Sequence, residues 1–167
     1  MSSLLIAIDV QSGFVTETSA HVVDLIAHTQ QRFSHVVFTK FYNPDPSPFR
    51  TILNYNKMTP GSPETELVVR PEEGAVVIER PRYSCVTEEM HHYLSVRRAT
   101  EAYVGGIATE ACVLETAVDL LEAGIRPIII EDLCASDKER RYHHMAIELL
   151  KKLIGPHNVI RLKDVPV

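Results

Sequence analysis

The sequence predicts one α/β domain, a three-layer Rossmann-like sandwich in which a mostly parallel sheet of about six strands carries helices on both faces. Short apolar runs alternate with longer amphipathic stretches along the whole chain, which is typical of repeated βα units. The first run, residues 4–8, has no polar alternation, as expected of a strand buried on both faces. A length of 167 residues is that of a single domain, 1–167.

Each apolar run is interpreted as a strand, and each amphipathic stretch as a helix. Gly124 and Gly155 directly follow the last two amphipathic stretches, where glycine commonly ends a helix. Parallel strands need crossover connections, and right-handed crossovers place the helices on both faces. The predicted strands are 4–9, 35–40, 75–79, 101–105, 126–131 and 159–162, and the predicted helices are 20–33, 88–97, 110–123 and 138–154.

The segment 42–74 interrupts this alternation and is rich in Pro, Ser, Asn and Thr. It is predicted to be a long loop rather than a linker, because the strands on either side belong to one sheet. Long loops at the carboxyl edge of a sheet commonly form pocket walls. Its aromatic residues are therefore expected either to contact substrate or to pack the loop onto the domain; they are Phe41, Tyr42, Phe49 and Tyr55.

Composition excludes several classes of function. With 17 basic and 22 acidic residues, a net charge of −5 and a pI near 5.9, the chain has no basic surface for nucleic acid or anionic membranes. The three cysteines lack disulfide or zinc spacing, which indicates a reducing compartment. No apolar run approaches the ~20 residues of a membrane span. We expect a soluble, cytoplasmic protein whose partners are small molecules or further subunits.

Common cofactor motifs are absent from the sequence. Neither a Gly-x-Gly-x-x-Gly turn after the first strand nor a nucleotide-binding P-loop occurs. The pairs His91-His92 and His143-His144 lie on predicted helices, where neighbouring side chains project about 100° apart and do not face one ion. We therefore expect no cofactor and no metal.

Three reactive residues follow predicted strands. Asp9 ends the first strand, Arg80 follows the third, and Cys112 lies just after the Gly105-Gly106 turn, in the first turn of a helix. Ligands of open α/β sheets bind at this carboxyl edge. A helix N-terminus favours a thiolate, so we predict a pKa of Cys112 below about 8.5. The simpler alternatives are a turn residue for Asp9 and a buried apolar side chain for Cys112.

Four ordered motifs carry a resemblance to a known family. They are Ile-Asp-Val-Gln at 8–11, Arg-Pro-Arg-Tyr-Ser-Cys-Val at 80–86, Gly-Gly-Ile-Ala-Thr-Glu-Ala-Cys-Val at 105–113 and Ile-Ile-Glu-Asp-Leu-Cys-Ala-Ser at 129–136. Together they resemble the isochorismatase-like cysteine hydrolases, which include nicotinamidases, carbamoylsarcosine amidases and ureido-acid hydrolases. The resemblance implies that Asp9 is the base and Cys112 the nucleophile. It also implies a cis bond between Ile107 and Ala108 and an oxyanion held by backbone N–H groups of Ala108 and Cys112.

The chain departs from the family pattern at the third catalytic position, where the family has lysine and this sequence has Arg80. Arginine stays protonated, so Arg80 is expected to orient Asp9 and support an anion rather than to donate a proton. Cys85 and Val86 replace the family's Ala and Phe after Tyr-Ser, which is expected to reshape the pocket. The metal-binding Asp and two His of nicotinamidases are reduced to Asp45, so a metal-independent site is expected.

The sequence therefore predicts a cysteine hydrolase that cleaves a C–N bond of a small amide, carbamoyl or ureido compound through a thioester on Cys112. Vinyl-ether hydrolysis, as in isochorismatase itself, is disfavoured because it needs no thiol. The alternative, raised by Arg80, is a catalytically impaired ligand-binding or regulatory member of the family. The resemblance also implies a homo-oligomer. The residues expected to contact substrate are Gln11, Phe14, Phe41, Tyr83 and Thr109.

Overall fold

The computed structural model describes residues 3–166, and its centre is a six-stranded sheet in which all paired neighbours are parallel. The strand order is β3-β2-β1-β4-β5-β6, which confirms the predicted α/β class. The strands are β1 (Leu4–Ile8), β2 (His35–Phe41), β3 (Val76–Arg80), β4 (Glu101–Ile107), β5 (Arg126–Ala135) and β6 (Val159–Ile160).

Helices cover both faces of the sheet and complete three layers. The helices are α1 (His21–Thr29), α2 (Pro48–Thr51), α3 (Glu88–Val96), α4 (Leu114–Glu122) and α5 (Arg140–Ile154). Residues of β1 alternate between the layers: Leu5 packs in the same core cluster as Ile26 of α1, whereas Ile6 shares the opposite cluster with Leu120 of α4 and Leu150 of α5. This alternation explains why β1 is apolar throughout, since both of its faces are buried.

Several element boundaries differ from the prediction. The pairing of β4 with β5 shifts register between Val104 and Gly106 and resumes at Gly106 and Cys134, which carries β5 on to Ala135 rather than ending it at 131. The helix predicted from residue 110 begins at Leu114, because Thr109–Val113 forms a π-helical turn first. Both differences lie at the carboxyl edge of the sheet.

The long loop is ordered by polar side chains. Ser47 caps the short helix α2 by accepting a hydrogen bond from the N–H of Arg50, and the Asn43 amide donates to the carbonyls of Tyr55 and Lys57. These contacts fold the loop over the carboxyl ends of the strands. The structure also shows that no helix within residues 3–166 has the length and apolar character needed to cross a membrane.

Gly106 determines how closely β1 and β4 approach each other. Its φ of +138° lies outside the range that side-chain-bearing residues readily adopt, and a Cβ there would lie 2.0 Å from the carbonyl oxygen of Ile8. The absence of a side chain therefore lets the residue after Ile8 and the turn after β4 lie side by side.

Candidate active site

Asp9 follows β1 and is held as a buried carboxylate. Its φ of 49° lies in the left-handed region, which aspartate tolerates better than most residues. Arg80 reaches it from the end of β3, across β2, with Nη1 2.5 Å from Oδ1 and Nη2 2.7 Å from Oδ2. Thr39 of β2 also donates its hydroxyl to Oδ1, at 2.8 Å. These three bonds leave Oδ2 with one unfilled acceptor position.

Arg80 is itself buried, with 1% of its surface exposed. Its Nη2 also donates to the carbonyl of Tyr83 at 2.9 Å. Burial acts to lower the pKa of Arg80, but the neighbouring Asp9 carboxylate and the Cys85 and Cys112 thiols raise it above its ordinary value. The guanidinium therefore remains charged, as the sequence led us to expect.

Cys112 lies in the π-helical turn and is 6% exposed. Burial raises the pKa of its thiol well above the ordinary value, the negative charge of Asp9 raises it further, and Arg80 acts in the opposite direction. A hydrogen bond between the Cys112 thiol and Asp9 adds to the increase. The prediction of a lowered pKa was therefore wrong, because the desolvation and the adjacent carboxylate are not visible in the local sequence. The resting site holds a protonated thiol next to a carboxylate.

A cavity of about 320 Å³ opens beside Cys112. One side of it is a continuous aromatic wall in which ring centroids are separated by 6.1 Å for Phe14 and Phe41, 5.0 Å for Phe41 and Phe49, and 5.0 Å for Phe49 and Tyr83. The other lining residues are Leu53, Tyr55, Ile107, Ala108, Glu110, Ala111, Asp137 and Lys138. The cavity thus combines an apolar interior with a few polar groups, as small-molecule sites usually do.

Tyr55 is one of the polar groups. Burial, followed by the negative charge of Asp137, raises the pKa of its hydroxyl to about 12. The hydroxyl therefore stays protonated at neutral pH and can donate a hydrogen bond. Lys138 pairs with Asp137 at 3.5 Å and is largely exposed, so these two charges neutralise each other. Glu110, the other acidic lining residue, accepts a hydrogen bond from the Ser136 hydroxyl.

The residues expected to contact substrate fall into two groups. Phe14, Phe41 and Tyr83 line the cavity, whereas Gln11 and Thr109 are not among its described lining residues. The Gln11 amide donates to the carbonyls of Phe41 and Thr65 and accepts from the N–H of Phe41, which ties the long loop to β2. Thr109 bonds His143 instead, at 2.8 Å. The structure therefore does not support direct substrate contact for these two residues.

The peptide bond between Ile107 and Ala108, both of which line the cavity, is cis. This is the bond that the resemblance led us to expect. It lies directly before the π-helical turn that carries Cys112.

Sequence reasoning missed the hydrogen-bonded side chains that lie behind Asp9. The Cys85 thiol donates to Oγ1 of Thr39 at 3.3 Å, and the N–H of Cys85 donates to Oγ1 of Thr116 at 3.0 Å. Burial, as the main cause, raises the pKa of the Cys85 thiol. Thr39 lies in an apolar strand and Cys85 is a small buried residue, so neither carries a functional signal. In contrast, Asp137 and Lys138 lie two and three residues after the end of β5 and could have been predicted from that position.

Within residues 3–166, no group of three or more His, Cys, Asp or Glu side chains is arranged to hold a metal ion. Asp45, the acidic residue that remains of the nicotinamidase metal motif, is exposed on the long loop. The groups that the structure brings together at this edge of the sheet are Asp9, Arg80 and Cys112, with the cavity beside them.

Comparisons with known proteins agree with this geometry. The model of the isochorismatase domain family matches residues 3–158. Among solved structures, an isochorismatase-like hydrolase from Alkaliphilus metalliredigens is similar with a TM-score of 0.85 at 18% identity, covering 98% of this chain and 96% of that one. A nicotinamidase from Bacillus subtilis gives 0.82 at 26% identity (96% and 100% covered), and an N-carbamoylsarcosine amidase from Thermoplasma acidophilum gives 0.83 at 20% identity (100% of both). None of the curated proteins matches the chain.

Proposed function

Because this chain belongs to the isochorismatase family, it is an isochorismatase-like hydrolase, and we propose that it cleaves the C–N bond of a small amide, carbamoyl or ureido compound through a thioester on Cys112. The observation that carries this proposal is the meeting of the Cys112 thiol, which lies in the cavity wall, with the buried Asp9 carboxylate that Arg80 holds in place. The structural similarity to a nicotinamidase and to an N-carbamoylsarcosine amidase supports an amide-type substrate.

Asp9 is the proposed base. Its Oδ2 atom retains one acceptor position, and the thiol is protonated at rest because burial and Asp9 raise its pKa. Proton transfer to Asp9 therefore accompanies attack on the substrate rather than preceding it, and such general-base assistance contributes about 10²–10⁴-fold in rate. Arg80 keeps the carboxylate in position and stabilises the negative charge that forms on sulfur.

The reaction then proceeds in two steps, acylation of Cys112 and hydrolysis of the thioester. The Cys112 sulfur forms a bond to the carbonyl carbon, and the resulting oxyanion is held by the proposed N–H donors of Ala108 and Cys112. Asp9 returns its proton to the nitrogen as the C–N bond breaks, which releases ammonia or an amine and leaves a thioester. Water next gives one proton to Asp9 and attacks the thioester, the C–S bond breaks, and Asp9 returns the proton to sulfur.

The cavity favours an uncharged, flat substrate body. The aromatic wall offers ring faces and edges for stacking. The cation of the cavity, Lys138, is already paired with Asp137, so a carboxylate on the substrate gains little there. We therefore expect aromatic or apolar amides to be better substrates than ureido acids.

The test is ammonia release at pH 8 from a panel containing benzamide, nicotinamide and a ureido acid. Cys112→Ala is expected to abolish release of ammonia from every substrate that the wild type cleaves. Cys134→Ala is the matched control, because Cys134 is equally buried, donates to the carbonyl of Ile130 and does not line this cavity. Wild-type turnover in the Cys112 variant would contradict the mechanism.

A ligand-binding protein without turnover is the second candidate, and Arg80 is the observation that favours it. Its guanidinium holds both oxygens of Asp9 in a rigid fork, where a lysine would make a single, more mobile contact. Under this alternative, amides stabilise the wild type against heat without releasing ammonia, and Arg80→Lys gains activity. Arg82→Lys, an exposed position two residues away, is the control.

A further inference from the structure

A second cavity, of about 410 Å³, lies at the end of β5, and we infer that it binds a small molecule bearing a phosphate-type oxyanion. It is bounded by the start of α1, the carboxyl end of β5, the start of α5 and Arg161. It shares no lining residue with the cavity beside Cys112. The inference is therefore independent of the proposed function.

The groups without a protein partner in this cavity are basic. Arg140, His21 and His144 line it, and within residues 3–166 none of their side-chain polar atoms has a hydrogen bond or ion pair. The ring of His144 contacts that of His143. Arginine and histidine donors are the groups that proteins use to bind phosphate oxygens. Three such side chains around one cavity provide hydrogen-bond donors for an oxyanion.

The acidic groups of the cavity are already engaged. Arg161 bonds Asp132 at 2.5 Å and Glu131 at 3.3 Å, and the N–H of Leu162 donates to Asp132 at 2.6 Å. The carboxylates of Asp132 and Glu131 balance the guanidinium groups of Arg161 and Arg140, so these four groups carry no net charge. The two carboxylates therefore leave no unbalanced negative charge in the cavity that would repel an anion.

His143 is oriented to contribute a further donor. Its Nδ1 atom lies 2.8 Å from Oγ1 of Thr109, which leaves Nε2 as the ring nitrogen available to a ligand. Burial, followed by the neighbouring His144, lowers the pKa of His143, so the ring is neutral without a ligand. When the Thr109 hydroxyl donates to Nδ1, the proton of the neutral ring is carried by Nε2.

The start of a helix lies at the same cavity. α5 begins at Arg140, which lines the cavity, and its first turn contains no acidic residue. The positive end of this helix favours an anion. The hydroxyl-bearing residues Thr18 and Ser136 also line the cavity. Its volume is that of a small metabolite site.

The test is a titration with inorganic phosphate at pH 7.5 and constant ionic strength, observed through the ring resonances of the histidines by NMR. The resonances of His21, His143 and His144 are expected to shift along one saturating curve, while those of His91 and His92 on α3 stay unchanged. Arg140→Gln is expected to weaken binding by about tenfold or more, the usual effect of losing a charge-assisted hydrogen bond.

Arg141→Gln is the matched control, because Arg141 is adjacent and exposed but pairs with Glu139 and Tyr142. It is expected to leave the titration unchanged. Three results overturn the inference: no saturation up to about 50 mM phosphate, an equal response to chloride at the same ionic strength, or equal weakening by the two arginine variants. None of these readouts requires turnover, so a failure here is distinguishable from a failure of the proposed function.

Discussion

Replacing Arg80 by methionine is expected to destabilise the protein severely. The change keeps an unbranched side chain but removes the guanidinium, and with it two charge-assisted bonds to Asp9 and one bond to the Tyr83 carbonyl. Asp9, which is completely buried, is then left as an uncompensated charge, although the Thr39 hydroxyl still donates to it. Breaking a buried ion pair from one side costs about 3–5 kcal/mol.

Urea and thermal unfolding measure this cost. For a domain of this size, a loss of about 3–5 kcal/mol corresponds to a decrease in Tm of about 6–20 °C. The double variant Asp9→Asn with Arg80→Met is expected to recover part of the loss, because it removes both charges. Asparagine is chosen because it tolerates the left-handed conformation of residue 9. Arg82→Met, an exposed change in the same segment, is expected to shift stability by less than about 0.5 kcal/mol.

Two results would refute the reasoning. An Arg80→Met protein within about 1 kcal/mol of the wild type would show that the pair is not the buried, charged contact described here. A double variant whose loss equals the sum of the two single losses would show that the two side chains are not coupled, since contacting residues deviate from additivity by about 0.5–3 kcal/mol.

Three further changes have defined outcomes. Asp9→Asn removes the negative charge that raises the pKa of Cys112, so the pH of half-maximal alkylation of Cys112 by iodoacetamide is expected to fall. Ammonia release is expected to decrease by about 10²–10⁴-fold, because the base is lost. An unchanged pH of half-maximal alkylation would contradict the interaction between Asp9 and Cys112. Phe49→Ala opens the aromatic wall and is expected to raise the KM for aromatic amides by about tenfold, with unchanged circular dichroism. Gly106→Ala places a Cβ 2.0 Å from a backbone oxygen of β1 and is expected to prevent folding, so that a thermal melt shows no unfolding transition. Gly124→Ala has open space around the new Cβ and is expected to lower the free energy of unfolding by about 1–2 kcal/mol.

Most of the fold could be predicted from periodicity alone. β1 and its parallel neighbours are short, apolar and separated by amphipathic helices, so their order along the chain fixes a parallel sheet. The errors lie where tertiary contacts override local pattern. The register shift between Val104 and Gly106 lengthens β5, and the π-helical turn 109–113 delays α4. α2 was missed because it is a single turn in a proline-rich loop, organised by the Ser47 cap.

The site could be predicted in part, because parallel topology brings the ends of β1, β3 and β4 to one edge. That argument places Asp9, Arg80 and Cys112 together, and the side chains do meet. It does not reveal the support from Thr39 and Cys85, which resemble ordinary core residues. It also gave the wrong direction for the pKa of Cys112, since burial depends on the whole fold.

The central claim is that the Cys112 sulfur carries the acyl group of an amide substrate. The most direct measurement is mass spectrometry of the peptide that contains Cys112, after the reaction has been quenched with acid during turnover. The substrate is benzamide, or another amide of the panel from which the protein releases ammonia. A parallel reaction contains hydroxylamine, which traps the acyl group. The account predicts an added acyl mass on Cys112, absent from Cys85 and Cys134, and a matching hydroxamate in the trapped reaction. Ammonia release without acylation of Cys112, or with undiminished turnover in Cys112→Ala, would contradict it.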